Sequence, residues 1–196
     1  MKPLILINAF EVPAGADEQF VTHWMRARDA LSSKAGYVDT KLHRSLAPGA
    51  PFRFINIGRW ASLQAFQDGT RDAGVSAKGF PFQAHPGLYE VIASTERLTA
   101  PRTSVTLINP FEVPAGRDES FIAGWGRAND HLSQRPGYLS TSLHRSIGPD
   151  PDFRFVNVAQ WASAEAFTAA ITDPEFRTAA QIPYPAHPAL YTTIAE

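Results

Sequence analysis

The apolar positions of the chain follow strand and helix periodicities in alternation. Residues 4–10 are apolar and β-branched between two prolines, which predicts a strand. Apolar residues then recur at helical spacing as far as Leu31. Asp17 and Glu18 precede them, and acidic side chains suit the positive end of a helix dipole. The pattern therefore predicts a helix that begins near Asp17 and is over by Gly36.

The next segment predicts a hairpin, a second helix and a closing strand. Residues 37–46 and 52–60 have strand character, and the turn-rich residues 47–51 join them. Ser62 is a candidate N-cap for the second helix, and residues 88–93 alternate as the last strand. The order β-α-β-β-α-β is that of a ferredoxin-like unit in the α+β class.

This unit occurs twice in the chain. Residues 7–66 align without a gap with residues 108–167, and 34 of the 60 positions are identical. The spacing later grows by one residue, and Asp173-Pro174-Glu175 adds a further helix start to the second copy. We expect two domains, 1–98 and 99–196, joined by a linker over residues 94–102.

A sheet with helices on one face needs cover on its other face. Two copies in one chain can supply that cover for each other. The sequence therefore predicts two tandem ferredoxin-like units that form a barrel-type α+β pseudo-dimer.

Composition excludes several classes of function. The 196 residues carry a net charge of -1 and no Lys/Arg-rich run, which argues against a nucleic-acid partner. There is no cysteine and no histidine spacing typical of a metal site, so we expect no metal. No apolar stretch is long enough to span a bilayer, and the expected location is the cytoplasm.

The third strand carries a candidate site. Period-two alternation places Phe54, Asn56 and Trp60 on one face. If the hairpin pairs His43 with Phe54, His43 joins this face. The second copy repeats the set as His144, Phe155, Asn157 and Trp161. These three groups suit an aromatic substrate, because the amide can bind an oxygen, the imidazole can move a proton and the indole can stack on a ring.

Each of these residues also has a purely structural interpretation, because strand Trp, Asn and His are common in cores and turns. Trp24 and Trp125 on the first helix of each copy either wall the same cavity or belong to the core. Asn8 and Asn109 on the first strand are further candidates. His85-Pro86 and His187-Pro188 precede the last strand, where we expect the proline to fix a turn.

The motifs Leu-His-Arg-Ser at 42–45 and 143–146 and Asn-x-x-x-Trp at 56–60 and 157–161 resemble the antibiotic biosynthesis monooxygenase superfamily. The resemblance covers nearly all of both copies. It implies small dimeric α+β barrels, several of which oxidise anthrone-type aromatic compounds with O₂ and without flavin or metal. It implies a small aromatic substrate, no cofactor, and a pseudo-dimer within the chain that is compatible with further homodimer formation.

The resemblance also assigns roles to residues. It implies catalytic roles for His43, Asn56 and Trp60 and for their repeats His144, Asn157 and Trp161. The tyrosine that similar anthrone oxidases carry on the second helix falls on Phe66 and Phe167, so a phenolic hydroxyl is missing there.

Two alternatives remain at this level. One is a barrel that only binds a hydrophobic ligand. The other is a relative that binds or degrades heme, for which Asn8 and Trp60 are similar by position while His85 sits in a different context.

Overall fold

The structure is a computed structural model that describes residues 3–75, 80–96 and 104–196. The predicted junction between residues 98 and 99 and part of the predicted linker lie outside the described residues. The first copy contains β1 (Leu4–Glu11), α1 (Asp17–Ser32), β2 (Tyr37–Ser45), β3 (Phe54–Trp60), α2 (Leu63–Asp72) and β4 (Gln83–Glu96).

The second copy repeats this order with one added helix. It contains β5 (Val105–Phe111), α3 (Asp118–Leu132), β6 (Tyr138–Ser146), β7 (Phe155–Trp161), α4 (Ala164–Thr172), α5 (Pro174–Ala179) and β8 (Ala189–Ala195). The Asp173 side chain caps α5, which begins with Pro174 as predicted. Ser62 and Ser163 accept backbone N–H groups at the starts of α2 and α4, which confirms the predicted cap of the second helix.

Contacts divide the chain into two compact units. The first consists of Met1–Glu90, Ser146–Pro151 and Thr193–Glu196, and its strand order is β4-β1-β3-β2 followed by the end of β8. The second consists of Val91–Arg145 and Asp152–Thr192, with the order β8-β5-β7-β6 followed by the end of β4. The predicted α+β class with two ferredoxin-like units is confirmed.

Aromatic residues form the core between the helices and the sheet of each unit. In the first unit Phe20 of α1 stacks on Phe54 of β3, with ring centroids 4.3 Å apart. Phe121 and Phe155 repeat this stack at 4.3 Å in the second unit. These four rings are fully buried. Among the described helices, none combines the length and apolar character required to cross a bilayer.

One prediction about the closing strands is wrong. β4 begins at Gln83 rather than at residue 88, so His85 and Pro86 lie inside a strand and not in a turn before it. Pro86 pairs with Asn8, and His85 binds the Glu11 carboxylate at 2.9 Å. A strand tolerates proline where its missing N–H leaves no ladder bond unmade, and composition alone does not reveal such a position.

Candidate active site

A cavity of about 440 Å³ lies in the first unit between the sheet and its two helices. The sheet contributes its floor, α1 and α2 contribute the walls, and most of the lining is apolar. Polar or aromatic lining residues are Asn8, Phe10, Trp24, Arg28, Tyr37, Thr40, Asn56, Trp60, Phe66, Thr70 and Phe80. A cavity of about 490 Å³ occupies the corresponding place in the second unit. Both volumes are within the usual range for small-molecule sites.

The Asn56 carboxamide is held in one orientation. Its Oδ1 accepts a hydrogen bond from Trp24 Nε1 at 3.0 Å and another from Thr40 Oγ1 at 2.7 Å. An indole N–H only donates, so the atom that it meets must be the amide oxygen. The Nδ2 group therefore points away from this pair, on the side of Gly58, which lines the cavity. No described residue accepts a hydrogen bond from Nδ2.

The second unit repeats this network. Asn157 Oδ1 accepts from Trp125 Nε1 at 3.1 Å and from Thr141 Oγ1 at 2.9 Å. Asn56 and Asn157 are each 8% exposed, so their N–H groups, which have no acceptor among the described residues, are largely shielded from bulk solvent. Such a donor stabilises negative charge on a ligand oxygen more strongly than it would in water.

Asn8 adds an acceptor to the same cavity. It lies directly opposite Asn56 in the β1–β3 ladder, so both side chains share the cavity face. Its Oδ1 is buried and has no hydrogen-bond partner among the described residues, and Asn109 Oδ1 is in the same state. A buried acceptor without a partner is costly, which favours a ligand donor at this point.

Trp60 and Trp161 both line a cavity and fill the core. Trp60 is 1% exposed and meets Tyr37 and Phe66 edge-on, at centroid distances of 5.4 and 5.7 Å. A side chain at Gly69 would overlap the Trp60 ring, so α2 packs directly on the indole. The indole thus fixes the shape of the cavity and offers it only part of its surface.

His43 does not join this site, and the predicted shared face is wrong. His43 pairs with Ile55, and Arg44 pairs with Phe54, so the imidazole lies on the opposite face from Asn56. The cause is a β-bulge between Tyr37 and Asp39, which inserts one extra residue and reverses the alternation beyond it.

His144 shows the same displacement, with a bulge between Tyr138 and Ser140. Burial lowers the pKa of His43 and of His144 to about 4, so both rings are neutral near pH 7. His43 Nδ1 lies 3.3 Å from the carbonyl of Ile55. Neither histidine is among the described residues that line the two cavities.

The remaining candidates divide into two groups. Phe54 and Phe155, which we proposed as substrate-contact residues, are fully buried in the core stacks and line neither of these two cavities. The others do line the cavities, as expected: Asn8, Trp24 and Phe66 in the first unit and Asn109, Trp125 and Phe167 in the second.

Sequence reasoning missed Thr40, Tyr37 and Arg28 as cavity residues. Thr40 and Tyr37 are identical in the second copy, as Thr141 and Tyr138, and that repetition was the available signal. Burial, with a smaller effect of Asp39, raises the pKa of Tyr37, so its hydroxyl remains protonated near pH 7.

A cluster outside the cavities has metal-ligand residue types. His131, Asp173 and Glu175 place ligand atoms within 4.8 Å of one another. The Arg135 guanidinium already lies among them, 2.7 Å from His131, 2.9 Å from Asp173 and 3.2 Å from Glu175. The arginine supplies the positive charge, and the cluster ties α5 to α3.

The family model for antibiotic biosynthesis monooxygenases matches residues 3–73 and 104–182. The chain belongs to this family. Both matched segments contain one complete Trp–Asn–Thr network. No curated protein matches the chain.

Solved structures share the fold of the whole chain. An anthrone oxidase-like protein covers 100% of this chain and 92% of its own, with a TM-score of 0.78 and 17% identity. A monooxygenase-like protein from Listeria innocua covers 100% of this chain and 96% of its own, with a TM-score of 0.53 and 13% identity. At these identities the likeness shows the fold.

SnoaB, a cofactor-independent oxygenase from Streptomyces nogalater, covers 48% of this chain and 96% of its own, with 28% identity and a TM-score of 0.42. The family assignment supports a protein of the monooxygenase kind.

Proposed function

We propose that each cavity is the active site of a cofactor-independent monooxygenase that oxidises an electron-rich aromatic substrate of the anthrone type. The observation that carries this proposal is the fixed carboxamide of Asn56. Trp24 and Thr40 occupy its oxygen, so its N–H groups are available for a ligand oxygen in the cavity. An anthrone that loses a ring C–H proton becomes an enolate, and its negative oxygen is the group that such donors stabilise.

The reaction needs no other oxidant than O₂. The enolate, which is also a carbanion at the ring carbon, gives its electron pair to O₂ in single-electron steps, and a carbon–oxygen bond forms. The resulting hydroperoxide loses water as the O–O bond breaks and the remaining C–H proton leaves. Anthrone and O₂ thus give anthraquinone and water. One oxygen atom enters the new carbonyl, and the other leaves as water.

The proton steps follow from which groups face the cavity. No carboxylate or imidazole is among the described residues that line either cavity. Deprotonation therefore depends on the acidity of the substrate and on stabilisation of its enolate by Asn56 Nδ2. Tyr37 has a protonated hydroxyl at the cavity and is the group suited to deliver a proton to the departing oxygen. Its ring contacts Trp60, beside the position where Phe66 lacks a hydroxyl.

The test is aerobic oxidation of anthrone by purified protein treated with a chelator, followed by quinone absorbance and O₂ uptake. We expect a rate above the buffer blank with one O₂ consumed per quinone. Asn56→Ala/Asn157→Ala should lower kcat/KM by about 100-fold, because the donor to the developing oxyanion is lost.

Thr40→Val/Thr141→Val keeps the shape but removes one donor to the amide oxygen, and we expect a smaller loss of about tenfold. The control is Thr22→Val, which removes a threonine hydroxyl bound to the backbone of α1 outside the cavity. A wild-type rate equal to the blank would overturn the proposal.

A second function is favoured by one observation. Phe66 and Phe167 contribute no hydroxyl to the cavities, as a protein that only binds a hydrophobic ligand would allow. Tight binding of anthrone with no oxidation would support that function. The heme alternative has less support, because neither His85 nor His43 lines the first cavity.

A further inference from the structure

The two cavities differ in one charged side chain. Arg28 of α1 lines the first cavity, and Asn129 takes the repeated position in α3 and lines the second. No other ionised side chain is present among the described lining residues of either cavity. The duplicated sites therefore share their carboxamide network but differ by one positive charge.

Arg28 lies beside the wall that orients the carboxamide. Its guanidinium carbon is 5.7 Å from the centre of the Trp24 ring, and Trp24 in turn holds Asn56. A charge at this place acts on a ligand that already meets the Asn56 amide.

Part of the guanidinium is available to a ligand. Nε and Nη2 bind Asp29, and Nη1 donates to the backbone oxygen of Glu196 at 2.7 Å. An arginine has five N–H donors, so one remains on each terminal nitrogen. The Asp29 side chain is 67% exposed, and such an exposed ion pair contributes little free energy, so a ligand carboxylate can compete with Asp29 for the guanidinium.

The second cavity contains neutral groups at the same places. The Asn129 Oδ1 atom lies 3.5 Å from the Tyr138 hydroxyl, which donates to it. Ile171 lines this cavity at the position that repeats Thr70. An anionic substituent that entered here would lose its hydration without gaining a cationic partner, which is costly.

We infer that the two cavities select different substrates, the first an aromatic compound with a carboxylate and the second an uncharged aromatic compound. The part of this inference that concerns reaction rests on the proposed function, whereas the part that concerns ligand binding does not. Arg28 binds the carboxylate at the end of α1 while Asn56 meets the ring oxygen. The chain thus presents two specificities on one scaffold.

The experiment is calorimetric titration with two stable probes that undergo no turnover, anthraquinone-2-carboxylate and a neutral isostere, anthraquinone-2-carboxamide. We expect one tight site for the carboxylate. Arg28→Asn should weaken that site about tenfold for the carboxylate and leave the neutral probe within twofold, because a charge-assisted hydrogen bond is lost. Asn129→Arg should create a second carboxylate site. The control Arg26→Asn removes the same charge from the exposed side of α1, away from the cavity.

Three results would overturn the inference. They are an equal loss of affinity for both probes in Arg28→Asn, equal carboxylate affinity at two sites of the wild type, and no binding of either probe. Oxidation assays on the same variants keep the two proposals apart. Selective binding without oxidation would refute the oxygenase and leave the charge assignment standing. Oxidation together with unselective binding would support the oxygenase and refute the charge assignment.

Discussion

At the scale of single residues, the site depends on which atoms of a side chain are already occupied. The Asn56 oxygen has two donors, and its N–H groups have no acceptor among the described residues. His43 is the opposite case, because it is buried, near a backbone carbonyl and absent from the cavity. The histidine, a residue type suited to proton transfer, therefore has a structural role here. Asparagine and threonine, whose side chains are less reactive, form the polar part of the site.

The buried histidines make stability depend on pH. Their pKa is about 4 in the folded chain and about 6.5 in the unfolded chain, so the unfolded chain binds more protons between these values. The free energy of unfolding should fall as pH drops from 6.5 towards 4, by up to about 1.4 kcal/mol per pH unit for each histidine. Above pH 6.5 the two histidines add nothing further to the free energy of unfolding.

Urea unfolding between pH 4.5 and 7 measures this slope. His43→Gln should remove about half of the histidine contribution, and His43→Gln/His144→Gln should remove all of it, whatever the effect on absolute stability. An unchanged slope in the double variant would show that other groups cause the acid sensitivity.

At the scale of elements, the β-bulge near the start of β2 and β6 decides which side chains reach the cavity. Before the bulge Tyr37 faces Trp60, and after it Thr40 faces Gly58, so Thr40 takes the face that strict alternation gives to His43. Most strand, helix and cap positions could be predicted because periodicity and local chemistry determine them, although the start of β4 at Gln83 was missed. The bulge could not, because one extra residue leaves no compositional mark in a polar strand.

Substitutions in the turn between α1 and β2 test how closely α2 packs against this part of the unit. Gly36 has φ +81°, and a Cβ atom there would overlap Ala65 of α2. Gly15 has φ +85° with open space around it. Gly36→Ala should lower the free energy of unfolding by about 3 kcal/mol, and Gly15→Ala by only about 1 kcal/mol, because the second variant carries backbone strain without the overlap.

Thermal and urea unfolding of both glycine variants would measure the difference. Gly49→Ala, at a loop position with open space and no positive φ, serves as the unstrained control. Equal losses for Gly36→Ala and Gly15→Ala would show that α2 does not pack against this turn as described.

At the scale of the whole molecule, each repeat ends in a strand whose last residues belong to the other compact unit. Ile194, from the second repeat, packs on the first unit's core around Phe20 and Trp24. Ile92, at the repeated position, packs on the second unit's core around Phe121. The duplication was evident in the sequence, but this exchange of strand ends between the units was not. Hydrophobic alternation predicts a strand and does not show which core its side chains pack against.

The exchange predicts that a substitution in one repeat destabilises the other unit. Ile92→Ala should cost about 1–2 kcal/mol, since the side chain is partly buried, and Ile194→Ala a similar amount. Hydrogen exchange should increase in α3 for Ile92→Ala and in α1 for Ile194→Ala. Faster exchange in the helix of the substituted repeat alone would contradict the exchange of strand ends.

The central claim is that the Asn56 and Asn157 amides stabilise the substrate as an enolate. Anaerobic titration of bound anthrone, followed by the absorbance of its enolate, measures this without interference from oxidation. We expect the apparent pKa of the bound substrate to lie at least about one unit below that of free anthrone. In Asn56→Ala/Asn157→Ala it should return to the free value. An equal pKa for free anthrone and anthrone bound to the wild-type protein would contradict the account.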